Sequence, residues 1–226
     1  MDQRIVEDII KKVMAQMGTP EGASGKGFSE KKTCDESLPV ELSGRHVHLC
    51  DEDIKELFGA PLTHVKELSQ PGQYLCKERV RLIGPSGVID NVAILGPSRP
   101  KSQVELSLTD ARILGMKVPV RQSGDVAGTP GIVLTSGSGL AGLEEGVIVA
   151  ARHIHMSPAD AATFGVFDNQ KVDVHMDGTR PAVFKDVVVR VNPNFKLAMH
   201  IDFDEANSCG LGKNARGRIV GVTQEA

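Results

Sequence analysis

The chain contains no Trp, a single Tyr and only 4% aromatic residues overall. Proteins that bind single-stranded nucleic acids commonly stack the bases on aromatic side chains, so this scarcity argues against that class. The net charge of −3 provides no general attraction for nucleic acid or for an anionic membrane surface. No apolar run approaches the roughly 20 residues that a membrane-spanning helix needs. We therefore expect neither nucleic acid nor a membrane as a partner.

Paired cysteines and nucleotide-binding loops are also missing. The four cysteines show no paired spacing, which fits a reducing, cytoplasmic compartment: Cys34, Cys50, Cys76 and Cys209. The N-terminus has early acidic residues and no long apolar core, so we do not expect a secretory signal. There is no alternation of strands with long helices, and no glycine-rich loop that a long helix follows.

Glycine and proline are frequent, with 24 and 12 residues respectively. Many of them separate short apolar runs, a pattern that predicts short strands joined by tight turns in small barrels or sandwiches. One predicted hairpin covers residues 74–95, with its turn at 84–87, and short helices are predicted at 50–59 and 158–164. The glycine-rich stretch 137–142 is interpreted as a turn. The internal repeat described below favours two mainly β halves, residues 37–148 and 149–226.

The first 17 residues predict an amphipathic helix, because apolar side chains recur at helical spacing along one stripe: Ile5, Val6, Ile9, Ile10, Val13, Met14 and Met17. Residues 18–36 are polar and glycine-containing and predict a flexible linker. The stripe could pack on the chain's own folded region. The linker favours a second interpretation, in which the helix is a docking peptide for another protein.

The central feature of the sequence is a histidine motif that occurs twice. Arg45-His46-Val47-His48 returns as Arg152-His153-Ile154-His155, with a constant offset of 107 residues (46 to 153 and 48 to 155). An apolar, extended run precedes each copy, and side chains two apart on a strand point to the same face. Each pair can therefore chelate a divalent metal ion, although a single His-x-His would more often be a solvent-facing strand end.

Two further residues complete a candidate metal centre. Glu105 lies in an alternating run and His200 in an apolar run. Taken alone, the first would be a solvated strand face and the second a core histidine. Beside four histidines that already predict metal binding, they bring the set to six ligands, enough for two ions with open positions. His64 and His175 have no such partners and are expected at the surface.

These motifs resemble those of the PduL family of phosphate acyltransferases (phosphotransacylases), enzymes of bacterial microcompartments. The resemblance covers residues 39–221. It rests on both Arg-His-x-His motifs, on Gly96-Pro97-Ser98-Arg99 followed by Gln103-Val104-Glu105, on the run from Arg121 to Asp125, and on Met199-His200-Ile201-Asp202 with the following Asp-Glu-Ala-Asn. Cys50 stands where the family usually has serine.

The resemblance implies two β-barrels capped by short helices, with a dinuclear zinc site between them, although Co²⁺ or Fe²⁺ would also suit such ligands. The implied metal ligands are His46, His48, Glu105, His153, His155 and His200. It also implies that Arg99 binds phosphate and acts in catalysis, and that acyl-CoA, CoA and inorganic phosphate are the substrates. Residues 1–17 would be an encapsulation peptide that binds shell proteins, placing the enzyme in the microcompartment lumen within the cytoplasm. A homodimer is a further expectation.

The implied reaction interconverts acyl-CoA plus phosphate with acyl phosphate plus CoA, with propanoyl or acetyl as the acyl group. Direct attack by bound phosphate is the expected route, and a covalent route through Cys50 or Cys209 is its rival. Two other functions remain open from the residues. A zinc hydrolase of thioesters or phosphoesters would use the same ligands to activate water. A microcompartment cargo or shell adaptor would use the metals only structurally.

Overall fold

A computed structural model describes residues 36–223 of the chain. The predicted helix at 1–17, and all but the last residue of the predicted linker at 18–36, lie outside the described residues. Within the described part, no helix is long and apolar enough to cross a membrane.

Short strands dominate the described residues. The strands are β1 Ser37–Leu42, β2 His46–His48, β3 His64–Glu67, β4 Tyr74–Ile83, β5 Val88–Gly96, β6 Gln103–Leu106, β7 Val120–Arg121, β8 Ile132–Thr135, β9 Leu140–Leu143, β10 Val147–Ala150, β11 His153–Met156, β12 Lys171–Met176, β13 Ala182–Val191, β14 Ala198–Ile201 and β15 Arg216–Val222. The helices are α1 Asp51–Phe58, α2 Leu108–Ile113, α3 Pro158–Phe164 and α4 Phe203–Cys209.

The strands form two sheets, which confirms the predicted mainly β fold. One is a closed barrel in the order β1-β14-β11-β13-β12-β15, and β15 closes it by pairing with β1. The other is a nine-stranded sheet in the order β7-β10-β6-β2-β5-β4-β8-β9, with β3 beside β4. Two barrels were expected, whereas this second sheet is a half-barrel.

The two sheets exchange one strand in each direction. β1 lies parallel to β14, with Val40 opposite Met199, and β10 lies parallel to β6, with Val147 opposite Val104. Val40 and Val147 are separated by the same 107 residues as the histidine motifs. Each strand that leads into a histidine pair therefore belongs to the sheet of the other half. The division at 148/149 remains a prediction, and sheet hydrogen bonds cross it in both directions.

Each sheet has its own apolar core, and these cores orient the histidines. Val47 and Ile154, the residues between the histidines of each pair, are both fully buried. Val47 packs in the core of the open sheet and Ile154 in the core of the barrel. Because neighbouring side chains on a strand point to opposite faces, the histidines on either side of them project away from the cores.

Four short helices follow the strands that carry the predicted ligands, and their ends match the sequence signals. Ser157 caps α3 and exchanges hydrogen bonds with Asp160, while Gly165 ends the helix in the left-handed conformation. Ser107 and Asp202 cap α2 and α4 in the same way. The helices predicted at 50–59 and 158–164 are confirmed as α1 and α3.

Three strands differ from the sequence interpretation. The stretch 137–142 is not only a turn, because Leu140–Leu143 forms β9 and pairs with β8. β3 and β15 were not predicted at all. β9 contains a glycine and β15 contains two, so the alternation of side chains is weak and pairing with neighbouring strands fixes their conformation.

The N-terminal caps of the equivalent helices α1 and α3 differ, so exchanging the capping residues should change stability in opposite directions. The Cys50 side chain accepts no capping hydrogen bond, whereas Ser157 accepts one from the backbone nitrogen of Asp160. We expect Cys50→Ser to raise the free energy of unfolding by up to about 1 kcal/mol, because serine caps the first turn. Ser157→Cys should lower it by about 1 kcal/mol. Urea unfolding of both variants measures the changes, and equal shifts in one direction would contradict the capping difference.

Candidate metal centre

A cavity of about 510 Å³ is lined by residues of both sheets. All seven residues singled out from the sequence contribute to its wall: His46, His48, Arg99, Glu105, His153, His155 and His200. The structure thus brings together side chains that are up to 154 positions apart in the chain (46 to 200). Their roles as ligands and phosphate-binding residue remain predictions.

His46, His48 and Glu105 form the tightest group. In the antiparallel pairing of β2 and β6, His46 lies directly opposite Glu105. The Nε2 atoms of the two histidines are 3.2 Å apart, and Nε2 of His46 is 3.5 Å from Oε2 of Glu105. All three side chains are buried, and their ligand atoms lie within 4.8 Å of one another. Within residues 36–223 it is the one group of its kind that meets this spacing.

Backbone carbonyls fix the orientation of three imidazole rings. Nδ1 of His46 donates to the Gly44 carbonyl at 2.8 Å, Nδ1 of His48 donates to that of Leu95 at 3.1 Å, and Nδ1 of His153 donates to that of Ala151 at 2.8 Å. A carbonyl oxygen can only accept, so Nδ1 carries a proton and Nε2 is the nitrogen left to bind a metal ion. This is the arrangement of a metal-binding imidazole with a backbone partner behind it.

The charges of the first group are coupled. Burial alone would raise the pKa of Glu105, but the neighbouring His46 imidazole holds it well below its usual range. Burial alone would lower the pKa of His46, but the Glu105 carboxylate raises it above its ordinary value. Burial lowers the pKa of His48 to about 3, so this ring is neutral at physiological pH.

His153, His155 and His200 form a second group in the barrel. His153 lies opposite His200 across β11 and β14, just as His46 lies opposite Glu105. The ring centroids are 4.7 to 5.3 Å apart. Burial lowers the pKa of His155 to about 2 and that of His200 to about 3, so both rings are neutral. The described residues provide no hydrogen-bond partner for Nδ1 of His155 or Nε2 of His200, although both atoms are buried.

These donor sets fit a divalent metal ion. In a tetrahedral zinc site, two nitrogen ligands lie about 3.3 Å apart, close to the separation of the His46 and His48 nitrogens. Neutral imidazoles and a carboxylate are ligands that zinc prefers. The unpartnered, buried nitrogens of the second group would also gain a partner, and leaving such atoms unpaired costs free energy.

Arg99 is connected to Glu105 through a buried hydrogen-bond network. Its guanidinium donates to Oγ of Ser123 at 3.1 Å, and Ser123 donates to Oε1 of Glu105 at 2.8 Å. The Gln103 amide donates to the same Glu105 oxygen at 2.6 Å and accepts from the backbone nitrogen of Gly124 at 2.7 Å. Gln103 and Ser123 were not identified as site residues from the sequence, although both lie in motifs that support the family resemblance.

The arginines of the two histidine motifs form ion pairs that connect neighbouring elements of the site. Nε of Arg45 is 3.2 Å from an Asp110 oxygen, and a guanidinium nitrogen of Arg152 is 3.3 Å from a Glu205 oxygen. Those carboxylates also cap α2 and α4, the helices that follow the strands of Glu105 and His200. Each arginine thus ties a histidine pair to the helix that follows the strand of its third partner.

The remaining predicted and rival residues lie away from the cavity wall. His64 is exposed and stacks on Tyr74, and His175 is half-buried in β12 beside Asp177. Burial raises the pKa of the Cys50 thiol, whose Sγ lies 3.2 Å from Oδ2 of Asp53. Burial likewise raises the pKa of Cys209.

Comparisons with known proteins agree with the geometry. A family model described as phosphate propanoyltransferase matches residues 39–212. A protein of that name from Enterococcus faecalis is 50% identical over 218 residues, which cover 96% of this chain and 95% of that protein. One from Listeria monocytogenes is 56% identical over 189 residues, 83% of this chain and 89% of its own. One from Sebaldella termitidis is 48% identical over 221 residues, 97% of this chain and 99% of its own.

The different protonation of the two groups predicts different pH dependence of metal binding. Because Glu105 raises the pKa of His46, a proton competes with a metal ion for Nε2 as the pH falls. We expect the zinc affinity of the first group to fall by up to about tenfold per pH unit below the pKa of His46. The second group, whose histidines are already neutral, should change little between about pH 6 and pH 8.

Competition with a chromophoric zinc chelator measures both affinities. The double variant His153→Ala, His200→Ala retains the first group alone, and His46→Ala, His48→Ala retains the second. A second group with the steeper pH dependence would contradict the assignment of the proton to His46.

Proposed function

The chain belongs to the phosphate propanoyltransferase family, and we propose that it transfers a short acyl group, propanoyl or acetyl, between CoA and inorganic phosphate at a dinuclear zinc site. The observation that carries the proposal is the cavity that is lined by both groups of proposed metal ligands and by Arg99. The relatives that bear the name phosphate propanoyltransferase support the reaction class.

The six proposed ligands would hold two Zn²⁺ ions, one in each group, and Co²⁺ or Fe²⁺ would suit the same donors. When bound, such ions supply positive charge that orients phosphate oxygens and stabilises negative charge on a thioester carbonyl oxygen. The protein's own contribution is to orient the imidazoles. Three backbone carbonyls do this for His46, His48 and His153.

Arg99 binds and positions the phosphate in this proposal. Its guanidinium has no carboxylate partner within 4.0 Å among the described residues, so its charge is available to an anion. Arginine presents a planar fork of donors that matches two oxygens of a phosphate. The network through Ser123 and Gln103 ties this fork to Glu105, so the anion and the first group of ligands keep a fixed relative position.

The reaction proceeds by direct attack. A phosphate oxygen forms a bond to the thioester carbonyl carbon, and the bond from that carbon to sulfur then breaks, so that CoA leaves as a thiolate. Holding the weak nucleophile against the carbonyl supplies much of the rate enhancement. Burial raises the pKa values of the Cys50 and Cys209 thiols, which makes both poor nucleophiles, and neither lines the cavity. The Cys50→Ser variant should accordingly retain activity.

The reaction class is tested by measuring thiol release from propanoyl-CoA and acetyl-CoA with and without phosphate. A phosphate acyltransferase releases CoA only when phosphate is present and forms acyl phosphate in equal amount. A zinc hydrolase would release CoA without phosphate and yield the free acid, which would overturn the proposal.

Arg99→Lys keeps the positive charge but removes the planar fork. We expect the KM for phosphate to rise by about tenfold or more, with zinc content unchanged, because lysine contacts phosphate as a point charge. Initial rates of thiol release against phosphate concentration measure this change. Lys101→Gln is the matched control, since Lys101 is exposed and pairs with Glu145. An unchanged KM in the Arg99 variant would rule out phosphate binding by this residue.

Residues 1–17 would dock the enzyme to shell proteins and place it in the lumen of a microcompartment. This part of the proposal stands on the apolar stripe and the polar linker of the sequence. The expected homodimer likewise remains a prediction.

Deletion of residues 1–17 should leave kcat and KM within about twofold of the full chain, because all proposed site residues lie in the part that matches the family model. Association with shell proteins, measured by co-sedimentation with purified shells, should be lost. The variant Ile9→Glu, Val13→Glu disrupts the stripe within the full-length chain and should behave like the deletion. Unfolding of the deleted enzyme would instead indicate that the segment packs on its own chain.

A further inference from the structure

Besides Arg45 and Arg99, the cavity is lined by a third arginine, which no sequence motif indicated. Arg190 lies in β13, opposite His155 in the parallel pairing of β11 and β13, and it lines the same cavity as Arg99. Its side chain is half-buried, and within residues 36–223 no carboxylate lies within 4.0 Å of the guanidinium. Other half-buried arginines have oxygen partners: Arg79 donates to backbone carbonyls and Arg152 pairs with Glu205.

An aromatic ring holds the guanidinium at the cavity wall. Cζ of Arg190 lies 5.9 Å from the centroid of the Phe195 ring, and that ring lies 4.2 Å from the His155 ring. A guanidinium over an aromatic face is stabilised without losing its hydrogen-bond donors. Phe195 therefore positions Arg190 beside the second histidine group while leaving its N–H groups available to a ligand.

The internal repeat shows that Arg190 is specific to one half. His46 pairs with Ala93 of β5 in the open sheet, and His153 pairs with Val188 of β13 in the barrel. Two residues after these pairing partners come Leu95 in β5 and Arg190 in β13, so these two residues occupy equivalent places. In the open sheet this place is taken by the apolar Leu95, whose carbonyl accepts from Nδ1 of His48. The fold therefore does not require an arginine at this place.

The charge balance of the wall favours an anion at this point. Two carboxylates line the cavity, and both have partners: Glu105 is engaged by Ser123 and Gln103, and Glu41 by Ser69. Arg190 is close enough that its charge, after burial, contributes to lowering the pKa values of Arg99 and His153. Metal ions in the two groups would add positive charge, so an anionic ligand is the missing counter-charge.

We propose that Arg190 is a second binding residue for the phosphoryl group, which it contacts from the barrel while Arg99 contacts it from the open sheet. The inference rests on the proposed function and adds the residue that would hold inorganic phosphate or the phosphoryl end of acyl phosphate across the two sheets. Phosphate offers enough oxygens for two guanidinium forks, and each such contact strengthens binding.

Arg190→Gln tests the role, because glutamine retains a polar side chain without the charge. The KM for phosphate should rise by about ten- to a hundredfold, while the KM for acyl-CoA stays within about twofold. Arg190→Lys should recover part of the loss, since the charge returns without the fork. Phe195→Leu should give a smaller shift in the same direction. Lys185→Gln is the control, because it removes an exposed charge from the outer side of the same strand.

A second measurement separates this inference from the proposed reaction. Phosphate should raise the thermal midpoint of the zinc-loaded wild-type enzyme, because a ligand that binds the folded state stabilises it, and this shift should be lost in Arg190→Gln. It requires no turnover, so it can succeed even if phosphate-dependent thiol release fails. A rise in the KM for acyl-CoA alone would assign Arg190 to the phosphates of CoA and overturn the inference. Unchanged values for both substrates would also overturn it.

Discussion

The exchange of strands between the two halves is the constraint on which the candidate site depends. β1 and β10 each lead directly into a histidine pair, yet each is paired with a strand of the opposite half. The chain can satisfy both pairings only if the starts of β2 and β11 lie close together. The two histidine pairs therefore face one cavity because the sheets require it. Two independent barrels joined by a linker would leave the relative position of the pairs unspecified.

Burying charged and polar side chains in this cavity costs free energy, and their hydrogen bonds and ion pairs offset part of that cost. Glu105 is only 7% exposed, and a buried carboxylate without partners would strongly favour its neutral form. Here His46, Ser123 and Gln103 all contact it, and its pKa is held low. The four histidines with lowered pKa values avoid the problem differently, since burial keeps their rings neutral. The result is a set of lone pairs that are free at neutral pH.

Much of this could be predicted from the sequence, because repetition and side-chain alternation are local signals. The two histidine pairs were identified from the repeat, Glu105 and His200 were added to them, and Arg99 was implied by the family resemblance; the structure places all seven around one cavity. The partners of the strands could not be predicted, since pairing depends on distant residues. β15 was missed because glycines interrupt it. One of them, Gly217, leaves room for Val174, whose Cγ1 would lie only 2.8 Å from a Cβ at that position. That close packing can be seen only in the assembled barrel.

The two halves place their histidine pairs in the same way but carry different charges around them. The two sides of the cavity therefore differ in their electrostatic potential. Opposite its first histidine, the open sheet carries the carboxylate of Glu105, whereas the barrel carries the neutral imidazole of His200. The strands β5 and β13, which pair with the histidine strands in parallel, also differ. The barrel has Arg190 in β13 at the place where the open sheet has Leu95 in β5. With equal metal charge in both groups, the ligand group of the barrel would be the more positive of the two, because it contains no carboxylate. An anion would therefore be attracted more strongly by the ligand group of the barrel, while Arg99, which donates to Ser123, would contact it from the open sheet. If both halves carried the same charges, the two ligand groups would attract an anion equally. The difference in charge between the halves is therefore what would allow the cavity to orient a phosphate.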